Sequence, residues 1–383
     1  MRVAAKYSLS DESRARLDRI SAAIMQSFAD GGYERIDLPV LQPADLYLDM
    51  AGEDIREKMF VFDDPLGNEM CLRADLTIPL CCYVLDHKQD FPARHSCIGA
   101  VFRFDAEASA ATEMLQAGAE CLGELSSASG DYEMLDLACR ALSAAGAHAV
   151  AIKLSDVSLF PTLLSELRLD DVWQRHLAYA FRHPSLLPST LADLKAGNRP
   201  KAPRFALDFS RATRAEAEVF VSERIGIAHG EEVSGRSAAD IAARLIDRAK
   251  AAATPLPDVH ALQAIDAFLG IDGPAGQSIR KLKSLAQGER FLGAVSRIES
   301  CVDRLRASSG ADRAVDISTT LGRSFTYYTG FVFTVNARGE DEPLAAGGRY
   351  DRLLSDLGAR APISAVGCAI WPERILAAEV PNA

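Results

Sequence analysis

The sequence has no run of about 18 apolar residues, so no membrane-spanning helix is expected. Its opening stretch, Met1 to Ser10, lacks the apolar core of an export signal. Eight cysteines occur without a CxxC pair or a regular framework. Reduced thiols and a cytoplasmic location are therefore expected. Seven histidines are scattered, none of them four residues from another. No metal site and no cofactor are expected, and the histidines read as surface or core-edge residues. Long basic clusters are also missing. The longest, Arg280-Lys281-Leu282-Lys283, reads as a solvated helix face. With a formal net charge of −11, the chain is poorly suited to an extended nucleic-acid-binding surface, although a local patch could still serve one.

What is present suits a globular protein with ample core and two or three domains. Its 383 residues are 48% hydrophobic and 25% charged. Leu17, Ile20, Ile24 and Phe28 recur at helical spacing and predict an amphipathic helix over 10–30, ended by Gly31-Gly32. Ile36, Leu38 and Val40 alternate as in a strand, with Pro39 suggesting a sheet edge. Strands are predicted at 59–62 and 69–73, joined by the turn-rich segment 63–68. A hairpin is predicted from 97–104 and 113–123, with Gln116, Gly118 and Glu120 on one face and Arg103 able to face them. A helix over 131–142 and a strand over 150–154 follow. From about 155 strand signals nearly vanish, and Ala-, Arg- and Leu-rich stretches predict helices to about 306, with exposed connections at 195–203 and 254–257. Strand texture returns at 314–318 and 331–333. Gly347-Gly348 reads as a glycine loop, followed by a short helix to Leu357, a strand over 364–370 and a helix opened by Pro372.

Glycine loop, helix, strand and a helix carrying Glu373-Arg374 resemble the third signature motif of class II aminoacyl-tRNA synthetases. Gly347-Gly348-Arg349-Tyr350-Asp351 is similar to histidyl-tRNA synthetases in particular. The segments at 10–40 and 97–123 resemble the first and second motifs. The resemblance covers about 1–155 and 312–383 and implies an α+β fold. That fold is a class II synthetase-like antiparallel sheet flanked by helices, with 156–311 as a mostly helical insertion domain.

Carried over residue by residue, the resemblance implies a histidine pocket. Asp75 and Thr77 stand where synthetases have an acid and a threonine for the α-ammonium group. Arg103 stands for the arginine that grips the carboxylate. Gln116 and Glu120 stand for the acceptors of the ammonium and the ring. Arg323, Tyr327, Tyr328 and Tyr350 match an arginine and the pocket tyrosines. The chemistry suits the task, since a cation meets a carboxylate and acceptors meet N–H donors. Other readings remain for Asp75, as a strand-end acid making a local turn bond, and for the tyrosines, as core residues.

The departures matter as much. The loop 105–115 contains no arginine, where synthetases carry cations for nucleotide phosphates. Leu76, Ser324 and Thr326 replace two glycines and an acid. Trp371 stands at a small-residue position beside the space where adenine would stack on Arg374. Only nine residues follow Arg374, so the synthetases' anticodon-recognising domain is not expected.

A synthetase fold that keeps an amino-acid pocket but loses nucleotide clamps resembles the regulatory-subunit family of short-form ATP phosphoribosyltransferase. The resemblance implies a non-catalytic chain that partners the catalytic subunit in a hetero-octamer. It also implies a self-dimer through the class II core, histidine as an effector in feedback inhibition, and no tRNA or membrane partner. The alternative is a truncated synthetase-like enzyme that activates histidine for a non-tRNA acceptor, favoured by the retained Arg103 and Arg323. An RNA-binding module is a third reading, opposed by the charge.

Overall fold

The structure, a computed structural model, describes residues 9–47, 58–104, 113–123, 127–199, 205, 207–225, 232–233, 236–309, 314–323 and 327–378. The arginine-free loop 105–112, Ser324, Thr326 and the end of the expected connection at 200–203 lie outside these residues.

Helix α1 (Asp11–Asp30) begins where the Ser10 hydroxyl accepts the Ser13 N–H, 3.2 Å. It buries the four predicted apolar residues. The strand expected at 36–40 forms elsewhere. Strand β1 is Glu34–Arg35 and β2 is Leu41–Pro43, in different sheets. Pro39 has no N–H to give a ladder, and the chain crosses between the sheets there. β3 (Val61–Asp63) and β4 (Glu69–Leu72) form the expected hairpin and join β2 in a three-stranded sheet. Helix α2 is Thr77–Asp86.

The main sheet contains β5 (Ala93–Phe102), β6 (Glu113–Leu122), β7 (Val150–Asp156), β10 (Asp272–Pro274), β11 (Ala314–Ser318), β12 (Phe331–Ala337), β13 (Pro343–Arg349) and β14 (Ala365–Ile370). With β1 its order is β1-β5-β6-β14-β13-β12-β7-β11-β10. Pairing is antiparallel except for β1 with β5 and β11 with β7. The fold is thus the expected α+β sheet flanked by helices.

The hairpin of β5 and β6 separates two layers by alternation. Ala117, Ala119 and Cys121 join the large apolar cluster with α1 and α3 (Ser127–Ala144). Gln116 and Glu120 take the other face and are also buried. That second face carries the smaller cluster, built with α2, Tyr350 and α12 (Leu353–Asp356). Helix α13 (Pro372–Ala378) closes the sheet side beneath β6.

The helical stretch contains α4 (Leu159–Glu166), α5 (Asp171–Arg182), α6 (Leu187–Lys195), α7 (Arg214–Ile225), α8 (Ala238–Ala253), α9 (Val259–Leu269), α10 (Ala275–Leu285) and α11 (Glu289–Ser309). Two short strands, β8 (Glu232–Val233) and β9 (Arg236–Ser237), pair between α7 and α8. Buried residues of α4, α5, α6, α9, α10 and α11 share one cluster with the main sheet. A separate small core joins Phe209, Ala217 and Val221 to Ala238, Ala242, Ile246 and Ala249.

Gly347 and Gly348 lie inside β13, not in a loop. A Cβ on Gly347 would stand 2.4 Å from the Gly367 carbonyl oxygen and 2.6 Å from the Phe333 ring. Glycine is required by crowding between strands, and the sequence signal for that is the same as for a turn. Gly347→Ala should therefore destabilise by about 2 kcal/mol or more through overpacking. Gly293→Ala, in α11 with nothing within 4 Å of the added carbon, should stabilise by up to about 1 kcal/mol. Urea unfolding of the two variants checks the contrast; equal effects would contradict this account of β13.

Candidate functional site

A pocket opens on the second face of the sheet, where β6, β13, β14, the start of α2 and the segments at 321–322 and 327–328 meet. It encloses about 640 Å³, with the solvent at its mouth included. Seven of the nine residues proposed from sequence line it: Asp75, Thr77, Arg103, Gln116, Tyr327, Tyr328 and Tyr350.

Asp75 makes a local backbone bond and also lines the pocket. Its carboxylate accepts the Ile78 N–H at 3.0 Å, which caps the start of α2. Burial pushes its pKa up, and the nearby Arg103 guanidinium opposes that. Arg103 is steered by its own backbone contact, Nε donating to the Ala74 carbonyl at 2.8 Å. The pocket thus has a cation beside a carboxyl group on one side.

The aromatic side comes from two segments. The Tyr327 and Tyr328 rings lie 4.7 Å apart, and Tyr327 meets Tyr350 edge-on at 6.1 Å. Tyr327 and Tyr328 lie in 327–330, which precede β12 without ladder pairing. Burial raises the pKa of all three phenols, so they stay neutral hydroxyls.

Glu120 stands behind the wall. Thr77 Oγ1 donates to its Oε1 at 2.7 Å, and the Tyr350 hydroxyl donates to its Oε2. Burial pushes its pKa up to about 8; the two hydrogen bonds oppose the rise and Asp75 adds to it. A ligand therefore feels Glu120 through the orientation of Thr77 and Tyr350. Glu120 in turn explains Gly367, its cross-strand partner on β14. A Cβ there would lie 1.4 Å from Oε2.

Arg323 is not brought in. Gly322 has φ +76° and turns the chain. Leu321 and Gly322 line the pocket, while the Arg323 guanidinium stands 6.0 Å from the ring centre of Phe181 on α5. Matching a motif's spelling did not convey this turn.

Trp371 completes the wall. The Arg374 guanidinium lies 4.4 Å over its ring and is held by the Pro343 carbonyl at 2.7 Å and the Glu342 carboxylate at 3.3 Å. The tryptophan covers the arginine face, as its position in the sequence suggested.

Two arginines with no role assigned from sequence fix the frame. Arg73 donates to the carbonyls of Leu38 and Ala100 at 2.6 and 2.8 Å, tying the β1–β2 connection to β5. Gly99 leaves room for it, since a Cβ there would be 2.1 Å from its guanidinium. Arg349 donates to Asp131 at 2.7 Å and to Asp351 at 3.0 Å, just before Tyr350. The only early signal of Arg73 was its place beside Asp75. Among the described residues no group of three or more His, Cys, Asp and Glu could hold a metal ion.

The family model described as histidyl-tRNA synthetase matches residues 8–255 and 236–375. A relative from Mesorhizobium japonicum, an ATP phosphoribosyltransferase regulatory subunit, is 35% identical across 94% of this chain and 97% of its own. Relatives of the same name from Sinorhizobium medicae and Agrobacterium fabrum are 37% and 34% identical, covering 89% and 94% of this chain and 92% and 97% of theirs. This chain belongs to the ATP phosphoribosyltransferase regulatory subunit family. A Bacillus halodurans structure, described as an ATP phosphoribosyltransferase regulatory subunit/histidyl-tRNA synthetase, has TM-score 0.69 at 21% identity, covering 100% of this chain and 82% of the other. A histidine–tRNA ligase subunit from Alicyclobacillus acidocaldarius has TM-score 0.61 at 22% identity, covering 99% and 96%. At these identities they show the shared fold. Membership in the family places the pocket on a scaffold common to regulatory subunits and synthetases.

The buried Glu120 sets a pH dependence. Its folded pKa is about 8 and its ordinary value is 4.5. Between these the folded state holds a proton that the unfolded state has lost. Its contribution is complete below about pH 4.5 and is lost as pH rises to about 8. Glu120→Gln removes this term and leaves others, such as Asp131 with a pKa of about 6, in both proteins. The melting temperature of wild type relative to Glu120→Gln should fall by several degrees from about pH 5.5 to about pH 8.5. Parallel curves would contradict the burial assigned to Glu120.

Proposed function

We propose that this chain is the regulatory subunit of the short-form ATP phosphoribosyltransferase, the first enzyme of histidine biosynthesis. In this reading it is not itself catalytic, is required for the catalytic subunit's activity and confers feedback inhibition by histidine. The relatives' shared name over nearly the whole chain supports the regulatory role. One observation carries the non-catalytic reading: an amino-acid-sized set of binding groups adjoins a wall closed by Trp371 stacked on Arg374. Such a site can bind an amino acid, while the face of Arg374 that a planar base would use is taken.

Free histidine fits the pocket chemically. Its carboxylate pairs with Arg103, its ammonium with Asp75, Thr77 and Gln116, and its ring with the tyrosines backed by Glu120. Arg323 is left out of this set. A regulatory pocket needs only that its ligand favour one state of an assembly, commonly by about 1–3 kcal/mol.

The assembly proposed is a hetero-octamer with the catalytic subunit, built on a self-dimer of the synthetase-like core. Exposed Val40, Leu41, Phe62 and Leu66, on the three-stranded sheet and its connections, suit the symmetric contact. No tRNA partner is proposed. No helix among the described residues is long and apolar enough to cross a membrane.

Three measurements test this. Phosphoribosyl-ATP formation by the catalytic subunit should rise on adding this chain and fall again with histidine; identical rates with and without the chain, and no complex on a sizing column, would rule the assignment out. Histidine-dependent ATP–pyrophosphate exchange should stay at the no-protein level, whereas clear exchange would favour the synthetase-like enzyme. Calorimetric titration with histidine should weaken at least tenfold in Arg103→Ala, since one charge-assisted hydrogen bond is worth about 1.5–3 kcal/mol. Unchanged binding would move the site elsewhere.

A further inference from the structure

A second concavity lies far along the chain from the pocket residues, between α5, α6 and α8. It encloses about 1,840 Å³ with its open mouth included. It sits on a seam. Helices α5 and α6 bury their apolar faces in the large cluster, whereas α8 buries most of its own in the small core with α7. The Arg175 guanidinium crosses the seam to Asp247 with two donors at 3.0 and 3.1 Å.

Four arginines and two aspartates line this groove. Asp247 is engaged by Arg175, and Asp193 accepts from the Asn198 side chain at 3.3 Å. Arg199 and Arg244 have no carboxylate partner among the described residues. Arg244 instead lies 5.1 Å over the Tyr179 ring, whose other contact is the stacked His183 ring at 4.0 Å. The rim adds Leu186, which is exposed. On a chain of net charge −11 this is a local surplus of positive charge, held open by helices.

The lining decides the class of occupant. A polyphosphate or nucleic acid would meet the two aspartates as well as the arginines and be repelled. Tyr179, flanked by Arg244 and His183, is not free to stack a base. A polypeptide carrying mostly carboxylates, with a few apolar or basic side chains, can match both signs. Exposed arginine beside tyrosine is the composition of interface hot spots. We propose that this groove docks an acidic segment of the catalytic subunit, an inference that rests on the regulatory-subunit reading above. Docking there also bridges the two apolar cores, so a bound partner holds the α7–α8 unit against the rest of the chain.

The test uses the full chain and the catalytic subunit, with binding followed by light scattering and calorimetry over a range of salt. The double variant Arg199→Glu/Arg244→Glu should bind at least tenfold more weakly, with a shallower salt dependence. Arg280→Glu/Lys281→Glu, on the exposed face of α10, should bind as wild type. Both variants should keep the wild-type melting temperature and histidine titration. If the glutamate variant fails to fold, Arg244→Gln alone replaces it and should still weaken binding measurably. Absence of any complex with the wild-type chain would overturn the regulatory reading itself. Wild-type-like binding by the folded groove variants would overturn the docking site alone. Inorganic tripolyphosphate is the second probe. Its binding to wild type but not to the groove variants, with catalytic-subunit affinity unchanged, would overturn the docking site in favour of a small-anion site.

Discussion

The pocket depends on a carboxyl group buried with no cation in contact among the described residues. Glu120 is held by two hydroxyl donors from different parts of the chain, Thr77 at the start of α2 and Tyr350 after β13. Both are pocket walls, so one side chain sets the spacing of two others. Its room is made by the absence of a side chain at Gly367. A low-dielectric site makes such a network costly when incomplete and specific when complete. With a pKa near 8, Glu120 is mostly protonated at neutral pH and adds little negative charge to the pocket. Asp75 and Arg103 remain to set the charge seen by a ligand.

Tyr350 needs a second anchor, and Arg349 supplies it. Its guanidinium is buried between Asp131 on α3 and Asp351. The two attractions do not act equally on each partner: burial outweighs the arginine at Asp131, whose pKa rises to about 6, while the arginine's own rises because two carboxylates face it. Removing one partner from such a pair leaves an uncompensated buried charge, at about 3–5 kcal/mol. The pair joins opposite layers of the sheet, with α3 on one side and the pocket strand end on the other. Packing on the large-core face is therefore felt at the pocket through a few bonds.

Sequence patterns conveyed the parts of the fold decided within one element. The 3–4 spacing of Leu17, Ile20, Ile24 and Phe28 and the alternation of Gln116 and Glu120 against Ala117 and Ala119 needed only local geometry to read. Elements decided by a distant neighbour were missed or misread. β13 looked like a loop because its glycines answer to Gly367 and Phe333, across the sheet. β10 is Asp-Gly-Pro, a turn by composition, and is a strand only because β11 pairs with it. The site was legible for the same reason and to the same limit. Five of the seven matched residues lie on or beside the hairpin, α2 and the β13 end, where register carries them to the pocket, while Tyr327 and Tyr328 come from the segment before β12. Arg323 follows a positive-φ glycine, where one dihedral redirects the side chain and no spacing rule applies.

Trp371 and Arg374 show how one large ring at a strand end fills the surface beside the pocket. Residue 371 directly follows β14, and residue 374 lies one turn into α13. A large ring at 371 gives the guanidinium an internal partner worth about 0.5–2 kcal/mol. A planar ligand seeking that face would have to displace it, losing the contact and opening a wall of the pocket. Asp75 and Gln116 are set by the start of α2 and by β6, whereas the Arg103 charge acts on Arg374 itself. The polar lining can thus persist while the adjoining surface is filled, because the two halves of the wall are fixed by different elements. The closure is a packing choice made at one strand end, and it leaves the register of the whole sheet untouched.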